Sequence, residues 1–521
     1  MSNKIERAEK LKEEGNALFA KKEYKAATQK YTEAIALNDK NPVLYANRAA
    51  CRLSLKKYMD AGMDAAKATQ IDPTYAKAWA RLATAQDALL QPHNSKASWQ
   101  KALDCLPKEG LTEGEKKQKQ QYKDGLAAAI DAEKRGPHTP LARMPMFNSS
   151  QSHQTPWNIA MSMLPQLQRE RNTRSSAWVI ADAYQNFEEG SKKMDQLVVM
   201  GPLARFNMQS IEEITNGILT DQRCFAVSSS SWLQKFERQL RGENACLNGW
   251  TYEPFDTLFQ NMEDRIETHG WEKARQTLGT TLRSWIAIGF IDGGFKDNQH
   301  TMIEFLGRVV QAIKWGQENW PDMDPNLRGA IFRPTFLRGV QNLHMETLMK
   351  LASKENDVPK KLEILQELLQ EAEDVIKSVG EDTDPSCGHP SFRLAYYDYP
   401  CGHAYAMKGY VSREKAKLTG DKLEDSKLCL EAGVSYMNAA NKLPDDDEHY
   451  SFYLSVAIEC LNKGSASPQL ILKVLEQLKS SVPKMQRTWV TSALAIGGRD
   501  DIIKQTLGME EQFRRKVKEN Q

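Results

Sequence analysis

Residues 5–108 read IERAEKLKEEGNALFAKKEYKAATQKYTEAIALNDKNPVLYANRAACRLSLKKYMDAGMDAAKATQIDPTYAKAWARLATAQDALLQPHNSKASWQKALDCLPK. Written in rows of 34, this stretch lines up with itself. Leu11, Tyr45 and Trp79 share one column, and Gly15, Ala49 and Ala83 another. Tyr31, Ala65 and Trp99 form a third, and Ala34, Ala68 and Ala102 a fourth. A small residue recurs at Ala27, Ala61 and Ser95, and Asp39, Pro73 and Pro107 close the rows. No insertion breaks the register. A fixed period of this length marks stacked helix–turn–helix units. Each unit holds two helices of about 14 residues, which are too short to persist alone in water. The small column lets paired helices approach closely, Tyr31 and Trp99 fill the space between them, and Pro73 and Pro107 stop the second helix. Stacking three such hairpins buries one continuous core and curves it into a groove.

Working outward, GLTEGEKKQKQQYKDGLAAAIDAEKR (residues 110–135) reads as a charged amphipathic helix. Terminal repeats need a solvated outer face, so this helix caps the stack and residues 1–135 form the first domain. Residues 136–156 are rich in Pro, Ser and Gln and lack helical periodicity, which is linker chemistry. Residues 157–521 return to helical spacing, as in MIEFLGRVVQAIKW from Met302 and LEILQELLQEAEDVI from Leu362. WIAIGFIDGGF, from Trp285, is apolar, and periodicity leaves helix or strand open. Ala432, Tyr436, Ala439 and Pro444 repeat the offsets of Ala27, Tyr31, Ala34 and Asp39, so a degenerate repeat is expected within 400–465. The expected fold is all-α: a three-repeat superhelix with a cap, then a larger helical region.

Composition narrows the function. The 521 residues carry 70 basic and 68 acidic side chains, a formal net charge of +2. A nucleic-acid binder needs a clear basic excess, so none is expected here. No apolar run approaches about 18 residues, so no membrane insertion is expected. The charged start, MSNKIERAEK, has no apolar core and predicts no secretory signal. Eight thinly spread cysteines then read as reduced thiols in the cytoplasm.

The chemistry concentrates on the first helix of each repeat, which lines the groove in such stacks. Lys12 and Asn16 are four apart and share a helix face, as do Lys77 and Arg81. Asn47 and Arg81 are 34 apart and occupy equivalent places in adjacent units. Two ammonium groups, a guanidinium and two amides converge, with no obvious carboxylate among them. Their complement is a compact dianion, such as a chain terminus ending in Asp.

This stretch resembles the tetratricopeptide-repeat (TPR) co-chaperones. KEEGN, LYANR and KAWAR match all five positions of their two-carboxylate clamp, which grips the C-terminal EEVD of the seventy- and ninety-kilodalton heat-shock chaperones. The resemblance implies that Lys12, Asn16, Asn47, Lys77 and Arg81 bind peptide carboxylates. It also implies that Phe19 and Ala50 wall a pocket for the penultimate apolar side chain. Phe19 is bulkier than the aliphatic residue often found there. Singly, each residue has a bland reading: LYxNR is a common repeat string, and Lys12 and Lys77 could be solvated surface lysines. Together, their type and spacing favour the clamp.

Other signals are weaker. Cys387-Gly-His389 and Cys401-Gly-His403 offer two thiols and two imidazoles, but CxH is an unusual zinc spacing, and loop glycines beside buried thiols are the plainer reading. The run at Asp445–Glu448 lacks the ligand spacing of a calcium loop and suits a helix N-terminus. Ser231 reads as an N-cap for WLQKFERQL. No phosphate loop, GxSxG or HExxH string is present. The expectation is therefore a non-enzymatic adaptor without cofactor, carrying a chaperone tail at one end and a client or second protein at the other. The alternatives are a scaffold reading other acidic C-termini, or an enzyme in the C-terminal region recruited by the repeats.

Overall fold

In three dimensions the 34-residue columns become three helix hairpins. They are α1 (Ser2–Ala20) with α2 (Tyr24–Leu37), α3 (Pro42–Ser54) with α4 (Tyr58–Ile71), and α5 (Ala76–Ala88) with α6 (Pro92–Asp104). The cap α7 (Glu113–Arg135) follows. The structure is a computed structural model and describes residues 2–135, 155–196, 198–200, 203–205, 207–225, 227, 230–295, 298–382 and 388–519. Most of the expected linker, 136–154, lies outside the described residues.

Sequence dictates the hairpins locally. Asn41 caps α3 by accepting from Val43 N at 3.0 Å, with Pro42 at the first helical position. A Cβ placed on Gly15 would lie 2.8 Å from the Tyr31 ring, so glycine there is what lets α1 and α2 close. Trp99 takes the equivalent place at the cap, pressed against Gly125 and tilted 5.8 Å from Tyr122. Ala27, Ala34, Ala61, Ala68 and Ala102 are fully buried between paired helices. The turn inside each hairpin holds one left-handed residue: Lys22 (φ 63), Lys56 (φ 60) and Leu90 (φ 53). In each, that residue's N–H reaches back three residues and the next N–H five, closing the helix end. α3 packs on α5 and α5 on α7, whereas α2, α4 and α6 make no comparable contact with one another. α3 and α5 therefore lie on the inner side, and the hydrogen bond from Asn47 to Asn16 joins α1 to the same face.

The chain divides into two compact units. The unit that holds the repeats, Met1–Pro140, also takes in Trp250–Ala274 and Gly289–Glu304. Asp256 enters this unit as a second carboxylate for two buried arginines. Arg48 grips Asp64 through two bonds of 2.7 and 2.9 Å and reaches Asp256 at 3.1 Å; Arg52 meets Asp64 at 2.7 Å and Asp256 at 2.8 Å.

Beyond the cap come α8 (Pro156–Arg169), α9 (Ser176–Asp195), α10 (Ser210–Asp221), α11 (Ser230–Leu247), α12 (Leu258–His269), α13 (Trp271–Phe295), α14 (Gln299–Asn319), α15 (Pro325–Arg328), α16 (Pro334–Lys354) and α17 (Val358–Glu381). Then follow α18 (Pro390–Arg393), α19 (Tyr399–Thr419), α20 (Lys422–Lys442), α21 (Glu448–Lys463), α22 (Pro468–Gln486), α23 (Ala493–Ile496), α24 (Arg499–Leu507) and α25 (Glu510–Glu519). One small antiparallel hairpin, β1 (Val198–Met200) with β2 (Leu203–Arg205), interrupts the all-α pattern.

The apolar segment from Trp285 is helical, within α13. Ser231 is not an N-cap: α11 already begins at Ser230, so the serine sits inside the first turn. A run of four serines lets the helix start slide. Asp447 does cap α21, accepting from His449 N at 2.8 Å.

The second unit reuses the repeat devices. Arg171 (φ 52), between α8 and α9, and Ser465 (φ 58), between α21 and α22, close their turns with the same pair of backbone bonds as Lys22. In α20, Ala432 and Ala439 are fully buried, and Tyr436 presses on Gly409 of α19 at 2.8 Å from a Cβ there, as Tyr31 does on Gly15.

Candidate functional site

The inner face of the repeats brings three of the five expected site residues together. Asn16 projects from α1, Asn47 from α3 and Arg81 from α5. Tyr31 donates its hydroxyl to Asn16 Oδ1 at 2.7 Å, and Asn47 Nδ2 donates to the same oxygen at 3.2 Å. Arg81 Nη1 donates to Asn47 Oδ1 at 3.4 Å. Both amide oxygens are thus occupied from within the protein, which leaves the Asn16 amide nitrogen and the second N–H of the Asn47 amide as the free donors of the pair. The result is a fixed ladder of donors across three helices.

Arg81 has no carboxylate partner among the described residues. Burial pulls its pKa down from the ordinary guanidinium value, though it remains a cation at neutral pH. A guanidinium that is desolvated and uncompensated is a ready partner for an anion from outside.

The other two site residues form no hydrogen bond with this ladder. Lys12 is held by Glu9, one turn earlier on α1, a carboxylate that the sequence argument overlooked. Lys77 is exposed and forms no ion pair among the described residues. Phe19 is 36% exposed and stacks edge-on against Tyr24 at 5.3 Å; Ala50 is half-buried.

Tyr31 is the group that sequence reasoning missed. It was expected only to fill space. Burial raises its pKa to about 12, so the hydroxyl keeps its proton and donates steadily to Asn16. Its column, shared with Ala65 and Trp99, reads as packing and carries no signal of this role.

The paired CGH strings give no metal centre that can be described. Cys387 lies outside the described residues. Cys401, Gly402 and His403 sit in helix α19 rather than a loop. His389 Nδ1 pairs with Ser391 Oγ at 2.7 Å, and His403 Nδ1 with Asn342 Oδ1 at 2.8 Å. Among the described residues no group of three or more His, Cys, Asp or Glu side chains could hold a metal ion. Nor is any described helix long and apolar enough to cross a membrane.

Three stacked hairpins presenting amide and cationic donors on their inner face define a helical-repeat module. The repeat stretch has the helix-hairpin architecture of tetratricopeptide repeats, and it is similar in sequence to the repeats of several heat-shock co-chaperones. It is similar to the heat shock protein sti1 homolog of Schizosaccharomyces pombe, at 43% identity over 96 residues, covering 18% of this chain and 16% of that protein. It is similar to the heat-shock protein cognate (HSC) co-chaperone sgt12 of Aspergillus fumigatus, at 38% over 98 residues, covering 19% and 29%. Serine/threonine-protein phosphatase T of Aspergillus oryzae shares 42% over 89 residues, covering 17% and 19%. The chain thus spans less than a third of the length of each of these relatives. No family model matches the chain.

Proposed function

We propose that this protein is a cytoplasmic co-chaperone adaptor, itself without enzymatic activity. Its repeats hold the C-terminal EEVD of seventy- or ninety-kilodalton heat-shock chaperones, and its C-terminal region serves a client or second protein. The observation that carries this reading is the ladder Tyr31–Asn16–Asn47–Arg81, which leaves amide N–H groups of Asn16 and Asn47 and a guanidinium without a carboxylate partner among the described residues facing one groove. In this reading Asn16, Asn47 and Lys12 bind the α-carboxylate of the terminal Asp, while Lys77 and Arg81 bind its side-chain carboxylate. Lys12 must exchange Glu9 for the peptide, an exchange between exposed ion pairs that costs little. Phe19 and Ala50 flank the penultimate Val. Two of the similar proteins are named as a heat shock protein homolog and an HSC co-chaperone, which supports the chaperone tail over other acidic C-termini.

The test is fluorescence polarisation of a labelled peptide ending in MEEVD against the full chain. Affinity should fall in the range of about 1–100 μM, because a flexible tail loses ordering entropy when it binds. The same peptide with a C-terminal amide, and the Arg81→Ala and Lys12→Ala proteins with the acid peptide, should bind at least about tenfold more weakly. Raising salt should weaken the acid peptide more than the amide. Equal binding of acid and amide would end this reading.

A further inference from the structure

The second unit contains a cavity of about 590 Å³ that the adaptor reading does not use. Three helices each turn one face to it: α16 through Asn342, Glu346 and Met349, α19 through His403, Met407 and Arg413, and α21 through His449 and Tyr453. α16 and α19 run in parallel along it, since His403 meets Asn342 at 2.8 Å and, two turns on, the Tyr410 hydroxyl meets Met349 O at 3.5 Å. The cavity is therefore elongated. His403 and Arg413 are ten residues apart on one helix, about 15 Å along its axis.

Its two ends differ chemically. At one end His403 and His449 face each other edge to face, ring centroids 5.2 Å apart. Asn342 Oδ1 can only accept, so His403 carries its proton on Nδ1 and offers a bare Nε2, buried and without a partner. Arg223 can only donate, so His449 accepts at Nδ1 (3.3 Å) and carries its proton on Nε2. Burial and the Arg223 charge lower His449 to about 3, which keeps the ring neutral. The pair thus presents one acceptor and one donor, neither satisfied by the protein. Asp221 and Glu346 line this end and disfavour an anion there; both are already engaged, by Arg223 and Lys350.

At the other end stands Arg413. Its Nε is buried without a partner, and it forms no ion pair among the described residues. The nearby carboxylates are committed elsewhere: Glu414 to Lys361 and Lys417, Glu459 to Lys463. Between the ends the walls are Met349, Met407 and the rings of Tyr410, Tyr436 and Tyr453.

We propose that this cavity binds an elongated, mainly apolar small molecule with a carboxylate at one end and a hydroxyl at the other. Arg413 receives the carboxylate. A hydroxyl is the group that both donates to the His403 lone pair and accepts from the His449 N–H. His403 Nε2 is covered as well as unpartnered, so the flanking rings shift as the hydroxyl seats. An extended chain of twelve carbons, with C–C bonds of roughly 1.5 Å, spans about 15 Å from carboxylate to hydroxyl and matches the cavity.

The probe is 12-hydroxydodecanoate, titrated calorimetrically into the full chain below its micelle concentration. It should bind at one site, at least about tenfold more tightly than dodecanoate, which lacks the hydroxyl, or 1,12-dodecanediol, which lacks the charge. The chain of half that length, 6-hydroxyhexanoate, should not bind measurably. Arg413→Gln should remove the advantage over the diol and His449→Phe the advantage over dodecanoate, each with an unchanged helical spectrum. The ligand series on the unaltered protein stands alone should either variant fail to fold. Similar affinities across the series, or no binding of the hydroxy acid, would overturn the proposal.

Discussion

At the scale of the residue, the recognition face depends on who owns each lone pair. Asn16 Oδ1 accepts from both Tyr31 and Asn47, and this fixes which way the amide points. Without the Tyr31 hydroxyl, Asn16 can flip and offer its oxygen to a peptide carboxylate, which repels it. Tyr31→Phe keeps the ring against Gly15 and removes only the donor. It should cost about 1 kcal/mol of stability, typical of one hydrogen bond, and weaken EEVD binding a few-fold. Equilibrium urea unfolding and peptide titration on the same protein check both. Arg81 and Asn47 were legible from their shared column, because recognition residues on a repeat inherit its period. Tyr31 was not, because its column, with Ala65 and Trp99, reads as packing. Its hydroxyl matters only in the first repeat, where Asn16 lies within reach.

At the scale of the element, the repeats end their helices in an unusual way. Lys22, Lys56 and Leu90 adopt a left-handed backbone where glycine is the common choice. A side chain in that region costs roughly 1 kcal/mol. Lys56→Gly should therefore raise thermal stability only slightly, by about a few tenths of a kcal/mol, the relief of strain narrowly exceeding glycine's greater unfolded-state entropy. Sequence reading places these turns but cannot see their hand, since lysine and leucine carry no left-handed signature.

A second element-scale device lies between α16 and α17, where His344 Nδ1 meets Glu371 Oε2 at 2.6 Å, both buried. Burial acts to lower the imidazole pKa, but the Glu371 carboxylate outweighs it, and the folded value lies above the ordinary 6.5. The charged pair then stabilises fully below about pH 6.5, and its contribution is lost as pH rises through the folded value. His449, lowered to about 3, acts in the opposite sense: its neutral form favours folding above the ordinary value, and that support is lost as pH falls. The informative quantity is the difference in melting temperature between wild type and His344→Gln. It should be largest near pH 6 and shrink toward pH 9. A difference that does not change with pH would mean that folding leaves the His344 pKa unshifted, and one that grows toward high pH would mean that the ring is held neutral in the fold.

At the scale of the whole molecule, the helical class and the three hairpins follow from periodicity, whereas the second unit's cavity does not. Its walls come from segments as far apart as Ile218 and Leu494, and each contributing face is individually an ordinary amphipathic stripe. Only tertiary packing makes the histidine pair and Arg413 share a space. The same holds for the repeat unit's borrowed segment. Nothing in GWTYEPFDTLF marks Asp256 as a partner for arginines some two hundred positions earlier, yet it reaches Arg48 and Arg52 at 3.1 and 2.8 Å.

The borrowed carboxylate predicts how the repeats behave when cut free. Arg48 and Arg52 are 5% and 3% exposed, and together they bring two positive charges into the helix packing. Asp64 neutralises one of them; Asp256 neutralises the other. A fragment of residues 1–135 keeps both arginines and loses Asp256, so one buried guanidinium is left unmatched, a situation that costs several kcal/mol when no water replaces the partner. Water can enter where the segment was, which reduces the penalty. The fragment should fold, because its helix-to-helix core is intact, but melt several degrees below the repeats of the full chain. Asp256→Asn in the full chain should lower the melting temperature in the same direction. Arg52→Met in the fragment removes the unmatched charge and should recover part of the loss, as expected when an uncompensated buried ion gives way to a side chain of similar length. Circular dichroism melts of the four proteins decide the matter: if Arg52→Met destabilises the fragment further, the arginine is held there by contacts other than the carboxylates, and charge matching is not what the borrowed segment supplies.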